Sequence, residues 1–504
     1  MKKLVIWLVL LTCLFSVAQA QSNASCSWYE IFVRSYQDSD GDGIGDLQGV
    51  IGRLDYLEDM GFDGLWLMPV MPSPSYHKYD VTDYLGIDPE YGTLEDMKQL
   101  VQACHERGIR LIIDLPINHS SSAHPWFVQA CAALRRGEEE HPCVEYYCFS
   151  RQDGPKMAPV RGTDWFYEEQ FSGGGMPDLN LESEKVRAEI TAIMDFWLNE
   201  CGVDGFRLDA VTSYYAADVE KNVSFLRWLN DTAKELKPGC YLVGEAWTGL
   251  STIAQYYESG VDSFFLFPAS QAEGYIARTI RARSKPARQY EGFLQQVEEA
   301  MGDYLLAPFL GNHDTGRAAG SLQARSAPDR AKFAHTLTSL MGGAAFTYYG
   351  DEIGMVGSGD DPNKRLAMYW NASDMTNQPP GVTKTEYAFP CVDEQLQDEY
   401  SLLNYIKKLN HQKRDHPAIA FGRNEFVYND GDVCAMKRIW EGQECWILVN
   451  FSAGTAHSGT IAADVENLVP AQTLDVGETA SRAWVEDGEI QFELAPYGLA
   501  VLVR

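Results

Sequence analysis

Between residues 28 and 350, short apolar runs alternate with longer stretches in which apolar residues recur every three to four positions. The short runs lie at 28–34 (WYEIFVR), 64–70 (GLWLMPV), 110–115 (RLIIDL), 203–209, 241–246 (YLVGEA), 263–268 (SFFLFP), 305–311 (LLAPFLG) and 344–350 (AAFTYYG). Each is short, bounded by turn residues and nearly continuous in apolar character, as a strand buried on both faces must be. The longer stretches, 93–107, 184–200, 217–236, 287–302, 328–341 and 398–414, predict helices. Eight such strands with helices between them imply an α/β protein built on a (β/α)8 TIM barrel, whose chemistry sits at the C-terminal ends of the strands.

Two departures from this rhythm set the expected domains. About 85 residues separate the third and fourth strands, far more than a βα connection needs. They are rich in Gly, Pro, Cys, Trp and Tyr, and predict a small inserted domain over 119–181. Beyond residue 417 the helical period stops, and strand-like pieces (EFVYN, VCAMKRIW, ECWILVNF, EIQFELA, GLAVLVR) predict a C-terminal antiparallel β-sandwich over 417–504. The barrel then occupies 21–118 and 182–416.

Residues 1–20 read as a cleaved export signal: Lys2 and Lys3, an apolar run from Leu4 to Val17, and Ala18-Gln19-Ala20. The run is short for a membrane anchor, and a lipidated Cys13 fits less well. The chain is therefore expected outside the cytoplasm, with no membrane attachment beyond the signal, as a monomer. Export permits disulfides, and the expected pairs are Cys434 with Cys445 across a hairpin and two of Cys131, Cys143 and Cys148. No Cys or His spacing suits zinc. A net charge of −30 opposes nucleic acids and anionic membranes and favours a neutral substrate.

Candidate chemistry lies at the strand ends. In Val203-Asp204-Gly205-Phe206-Arg207-Leu208-Asp209, alternation puts Arg207 and Asp209 on one face. Alone, that fits an internal ion pair as well as a functional one. Glu245 in VGEAW and Asp314 in GNHD end two other strands, and His119 follows a third. Converging carboxylates flanked by His and Arg are what glycoside cleavage needs: one ionised nucleophile, one proton donor and groups that steady an oxocarbenium-like transition state. Glu245, next to Ala246 and Trp247, is expected to keep its proton longer than Asp209, beside Arg207. Several aromatics of the insertion, including Trp126, Trp165, Phe166 and Tyr167, are candidates for stacking on sugar rings. Separately, Asp38-Ser39-Asp40-Gly41-Asp42-Gly43-Ile44-Gly45-Asp46 spaces oxygen donors as the front of a calcium loop does: Asp38, Asp40, Asp42, the Ile44 carbonyl and Asp46, with Gly49 where an EF-hand carries Glu.

DLPINH (114–119), GFRLDA (205–210), GEAW (244–247), FLGNHD (309–314) and MPDLN (176–180) together resemble the α-amylase family, glycoside hydrolase family 13, in the family's order and across essentially the whole mature chain. The resemblance implies Asp209 as nucleophile, Glu245 as general acid/base and Asp314 as transition-state stabiliser. It implies that His119, Arg207 and His313 contact the sugar on the non-reducing side of the cleaved bond. It also implies Tyr79, in the segment YHKYD, as a stacking residue, with Asp80 and Arg365 among the substrate contacts. A calcium (Ca2+) loop similar to 38–46 occurs in the oligo-1,6-glucosidase and neopullulanase-like branches. A second calcium, where the family has one, would use Asn118 and Asp178, but Ser213 replaces the His that accompanies it.

MPDLN is closer to the neopullulanase-like and intermediate α-amylase branches than to the QPDLN of oligo-1,6-glucosidases. In Arg365-Leu366-Ala367-Met368-Tyr369-Trp370, Ala367 and Tyr369 replace the Pro and Gln of the R-T-P-M-Q-W segment. The expected activity is that of an α-amylase, cleaving internal α-1,4-glucosidic bonds of starch, glycogen and maltooligosaccharides with retention. The alternatives are an exo-acting α-glucosidase or oligo-1,6-glucosidase, a neopullulanase-like enzyme or transglycosylase, and, in another class, a non-catalytic glycan-binding relative.

Overall fold

The structure is a computed structural model that describes residues 25–504 apart from 217, 464 and 466. The expected export signal and Cys13 lie outside the described residues. Seven strands form a parallel sheet: β1 (Ser27–Ile31), β2 (Gly64–Leu67), β3 (Arg110–Leu115), β4 (Gly205–Leu208), β5 (Tyr241–Gly244), β6 (Ser263–Phe264) and β7 (Ala345–Tyr348), with β7 pairing back onto β1. The segment 305–311 closes the ring. It bridges Phe265 through Ala307 and Phe346 through Phe309, with backbone hydrogen bonds from Leu266 N to Ala307 O and from Phe346 N to Pro308 O. The seventh of the eight predicted strands is thus in place but makes only these bridges.

Alternation along each strand explains both the core and the site. Barrel-facing Trp28, Trp66, Ile112, Tyr241, Val243, Phe265, Phe309 and Phe346 form one buried apolar cluster, in which Trp28 stacks on Tyr241 at 4.9 Å and on Phe346 at 5.5 Å. Their neighbours Tyr29, Leu65, Ile113, Phe206 and Leu242 belong to the larger core shared with the helices. Two residues further along the inner stripe, Trp28 gives way to Glu30, Ile112 to Asp114 and Val243 to Glu245, so an apolar floor carries a charged ceiling. Gly64 admits the Trp28 ring, since a Cβ there would lie 2.3 Å from it. Gly205 opens β4 at φ +149°, where a Cβ would lie 1.8 Å from Tyr241 O.

The predicted helices appear as Leu94–Glu106, Glu184–Asp195, Val219–Leu236, Pro286–Met301, Asp329–Ser339 and Leu402–Asp415. The second runs on into a π-turn, Phe196–Glu200. Between β3 and β4 lie a helix, Pro125–Arg136, capped by the His124 side chain and ended by Gly137 at φ 76°, and a three-stranded sheet of Phe149–Ser150, Met157–Pro159 and Phe166–Glu168. That helix was not foreseen, although Phe127, Ala130, Cys131 and Leu134 carry its buried stripe. Bridges His119–Asp178 and Tyr147–Leu179 tie the insertion together near the site.

The C-terminal region packs a five-stranded antiparallel sheet on a three-stranded one. Trp446, Leu448 and Leu502 from the first share a core with Ile461, Ile490 and Phe492 from the second, which makes a sandwich. Arg438, fully buried, donates to the carbonyls of Ile419 and Leu340 and so fastens this region to the barrel.

The expected disulfides are not formed. All ten cysteines among the described residues are free thiols. The hairpin of Val433–Trp440 and Gln443–Asn450 sets Cys434 opposite Val449 and Cys445 opposite Arg438, so the two sulfurs do not face each other. In the insertion, the Cys143 thiol donates to Gln129 Oε1 and the Cys148 thiol to the Leu179 carbonyl. Among the described residues, no helix is long and apolar enough to cross a membrane.

Candidate active site

Arg207 is the hub. It lies on β4, one residue before its end, with no exposed surface, and its Nη1 donates to Asp114 Oδ1 at 2.8 Å, Asp114 Oδ2 at 3.0 Å and Asp209 Oδ1 at 2.6 Å. Its Nη2 lies 3.0 Å from Glu245 Oε2 without hydrogen-bond alignment, which leaves Nε and Nη2 with no aligned acceptor. One guanidinium therefore spans Asp209 and Glu245, which fixes both on the same side of the barrel mouth. A buried cation among carboxylates is stable only because each pairing is charge-assisted.

Glu245 follows β5 and is almost fully buried. Burial, reinforced by the negative charges of Asp209 and Asp314 and only partly offset by Arg207, pushes its carboxyl up to about 7. Its Oε2 accepts the Ala210 N–H at 2.9 Å. Ala210 sits at φ 46°, a left-handed conformation that costs a residue with a Cβ roughly 1–2 kcal/mol. This hydrogen bond holds it there, locking the residue after Asp209 to Glu245.

Asp314 lies across the cleft in a second network. Burial works against its charge, but His313 Nε2 at 2.9 Å and Arg365 Nη2 at 2.9 Å hold its carboxyl well below the usual carboxylate range. His313 is fully buried, which disfavours its charge. The charges of Asp314 and of Glu30, bonded to its Nδ1, overcome that and lift it to about 9. Tyr79 joins the two networks. Its ring lies 5.4 Å from that of His313 at 18°, its hydroxyl is 2.6 Å from His313 Nε2, and it donates to Asp114 Oδ2 at 3.0 Å.

These groups open onto a cleft of about 430 Å3 lined by His77, Tyr79, His119, Phe171, Met176, Asp209, Glu245, Trp247, Asp314 and Arg365, among others. His119 is buried, which keeps its imidazole below the ordinary range, and its Nε2 has no protein partner. Of the predicted site residues, Asp209, Glu245, Asp314, Tyr79, His119 and Arg365 line this cleft, while Arg207 and His313 lie directly behind it. Asp80 is turned away, accepting from Ser73 Oγ at 2.7 Å and from Ser75. Trp126, Trp165, Phe166 and Tyr167 are not in the lining. Trp126 packs on His124, Tyr84 and Tyr146, and Trp165 against Arg151.

Four participants escaped the sequence. Glu30 and Asp114 sit on the inner stripe behind the site, where only the barrel's closure supplies their partners. Phe171 and Trp247 are rim aromatics, and the sole sequence signal for Trp247 is its place two residues beyond Glu245.

The acidic loop after β1 presents a separate donor set. Carboxylate oxygens of Asp38, Asp40 and Asp42 lie within 4.8 Å of one another, and Gly43 N donates to Asp38 Oδ2 at 2.8 Å. All-oxygen donors on a tight glycine turn suit a hard cation. Asp46 stands apart from this group, capping the helix Leu47–Gly52 through Gly49 N and accepting from Ser39. At the position of the family's second calcium, which Ser213 speaks against here, Asn118 Nδ2 donates to Asp178 Oδ1 at 3.2 Å.

Comparison with known proteins agrees with the geometry. The family model for the α-amylase catalytic domain matches residues 30–422. The chain is 37% identical to Alpha-amylase 3 of Dictyoglomus thermophilum over 84% of each protein. It is 27% identical to an oligo-1,6-glucosidase of Parageobacillus thermoglucosidasius, covering 85% of this chain and 90% of that one. Among solved structures, Eubacterium rectale Amy13B superposes with a TM-score of 0.89 at 40% identity over 96% of both chains. A (β/α)8 barrel with buried carboxylates on a shared arginine, matched along most of its length, leaves one assignment: the chain belongs to the α-amylase family of glycoside hydrolases.

Proposed function

We propose that this protein is an exported α-amylase that hydrolyses internal α-1,4-glucosidic bonds of starch, glycogen and maltooligosaccharides with retention of configuration. The observation that carries this reading is the pair of carboxylates on Arg207, of which Glu245 is lifted to about 7. At neutral pH a substantial share of Glu245 then holds a proton to give, and Asp209 is the nucleophile beside it.

Glu245 passes its proton to the glycosidic oxygen as the C1–O bond breaks, and Asp209 Oδ bonds to C1. Water then attacks C1, Glu245 takes the water's proton, and the bond to Asp209 breaks. Retention of this kind uses carboxyl groups about 5–5.5 Å apart. Asp314, aligned by Arg365 and His313, accepts from sugar hydroxyls and steadies the developing positive charge, while the unpartnered His119 Nε2 meets another hydroxyl. Arg207 holds the two reacting carboxylates in register and Tyr79 provides the stacking wall.

Calcium fits the loop after β1, held by Asp38, Asp40, Asp42 and the Ile44 carbonyl, with Asp46 stabilising the turn. When bound, the ion would cancel the repulsion among three carboxylates and stiffen the loop between β1 and its helix. The product profile tests the main reading. Starch should yield a ladder of maltooligosaccharides, with pullulan and isomaltose attacked far more slowly. Glucose released alone from chain ends would overturn the endo assignment, and rapid attack on isomaltose would point to the oligo-1,6-glucosidase activity instead.

A further inference from the structure

Glu30 stands on the inner stripe of β1, in register with Trp66 of β2 and Tyr348 of β7, and only 1% of its surface is open to solvent. A carboxylate buried that deeply needs a partner. It is bonded to Nδ1 of His313, itself fully buried, and among the described residues this is the one ion pair Glu30 makes. The other ring nitrogen, Nε2, lies 2.9 Å from Asp314 Oδ2 and 2.6 Å from the Tyr79 hydroxyl. Tyr79 donates its own proton to Asp114 Oδ2 at 3.0 Å, and Arg207 Nη1 donates to its oxygen at 3.4 Å. Towards the ring, the Tyr79 oxygen is left to accept.

Both nitrogens of His313 therefore face acceptors. A neutral imidazole offers one N–H and one lone pair, whereas an imidazolium offers two N–H groups. Here there is no place for a lone pair. The remaining neighbours do not change this: Trp66 packs across the ring at 5.8 Å and 74°, and Arg365 donates to the His313 carbonyl and to the other oxygen of Asp314. Burial opposes a charged ring, yet Asp314 and Glu30 together lift it to about 9.

We propose that Glu30 is a positioning residue of the reaction: it keeps His313 doubly protonated, so that the Nε2–H stays aimed at Asp314 and Tyr79 while glucan is bound and cleaved. Asp314 then meets the sugar with one oxygen braced by His313 and the other by Arg365. Glu30 touches neither the sugar nor a reacting atom and acts through the one ring. Without a carboxylate behind Nδ1 the ring would lose its proton closer to neutrality, and a neutral ring can turn a lone pair towards Asp314. The inference rests on the reading of Asp314 as the carboxylate that steadies the transition state.

The test compares Glu30→Gln with wild type across pH. Gln keeps the shape of Glu and removes its charge, and Glu245 titrates in both proteins, so the ratio of their activities cancels it. Near pH 5 the solution supplies the ring's proton, and kcat/KM of the variant on maltotetraose should stay within about twofold of wild type, which also reports an intact fold. By pH 8 the ratio should have fallen about tenfold, mainly through kcat, as a charged donor is exchanged for a neutral one. Glu30→Asp, which restores a negative charge behind the ring, should hold the ratio nearly level. A ratio for Glu30→Gln that does not change with pH, or a Glu30→Asp curve that matches it, would overturn the proposal. The ring's charge is read without substrate by nitrogen NMR of protein carrying labelled histidine, with His313 assigned by its loss in His313→Gln. In wild type at pH 7.5 both ring nitrogens should carry protons, and a neutral ring would also overturn the proposal. A wild-type protein that cleaves no α-glucan would instead remove the reading of Asp314 on which the inference rests.

Discussion

Replacing Glu245 with Gln should change the pH dependence of stability as well as abolish activity. Gln keeps the shape and can still accept the Ala210 N–H, but it has no proton to lose. In the folded protein burial lifts Glu245 from an ordinary 4.5 to about 7. A carboxyl raised on folding binds its proton more tightly in the native state. Its contribution to stability is therefore fully present below about pH 4.5 and is lost as pH rises through about 7. At 1.36 kcal/mol per pH unit the loss is about 3 kcal/mol. The Gln variant escapes this loss, so its stability relative to wild type should climb by about 3 kcal/mol between pH 4.5 and 8. Paired urea unfolding curves at several pH values, followed by tryptophan fluorescence, read that difference. Buried carboxyls outside the Arg207 network titrate equally in both proteins and cancel, and Asp114, raised to about 7 on the same guanidinium, is separated by the same curves on Asp114→Asn. A difference that stays flat across the range, or falls with rising pH, would show that Glu245 is not held protonated by its burial.

Three further outcomes follow from the same geometry. Asp209→Asn should reduce hydrolysis by ~10^4-fold or more with an unchanged circular dichroism spectrum; near-normal turnover would remove Asp209 as nucleophile. In wild type, kcat/KM should fall about tenfold per pH unit above pH 7 as Glu245 loses its proton, and a basic limb displaced beyond pH 9 would assign the proton to another group. EDTA should lower the melting temperature, calcium at a hundredfold excess over its Kd being worth about 2.7 kcal/mol, and the loss should be reversed by added calcium and removed by Asp40→Asn with Asp42→Asn; a melting temperature indifferent to EDTA would refute the metal loop.

Much of the fold was legible because doubly buried strands leave continuous apolar runs, and the barrel then dictates that charges ending those runs converge. Asp209, Glu245, Asp314 and His119 meet for that reason. What the sequence hid depends on register and closure. Cys434 and Cys445 sit on one hairpin, but the turn at Glu441–Gly442 fixes which residues oppose each other, and it sets Val449 and Arg438 against them. Asp80 lies next to Tyr79, yet Ser73 and Ser75 draw its carboxylate out of the cleft. Glu30 has no neighbour in sequence that announces a role, and only the ring's closure brings it to His313. Trp247 was read as an apolar screen for Glu245, but it stands outside the carboxyl on a shelf of its own.

The sharing of Arg207 has a consequence for the charge of the resting site. Asp114 and Asp209 both accept from this single cation, and Glu245 lies 3.0 Å from it. Burial lifts the carboxyls of Asp114 and Glu245 alike to about 7, so three carboxyls lean on one guanidinium and two of them share protons with the solvent near neutral pH. On the opposite wall Asp314 and Glu30 are matched by His313 and Arg365. The surplus of negative charge at the mouth therefore lies on the Arg207 side and grows as pH rises through about 7. A neutral sugar leaves that surplus as it is, whereas the oxocarbenium-like carbon offsets it at the moment of bond cleavage.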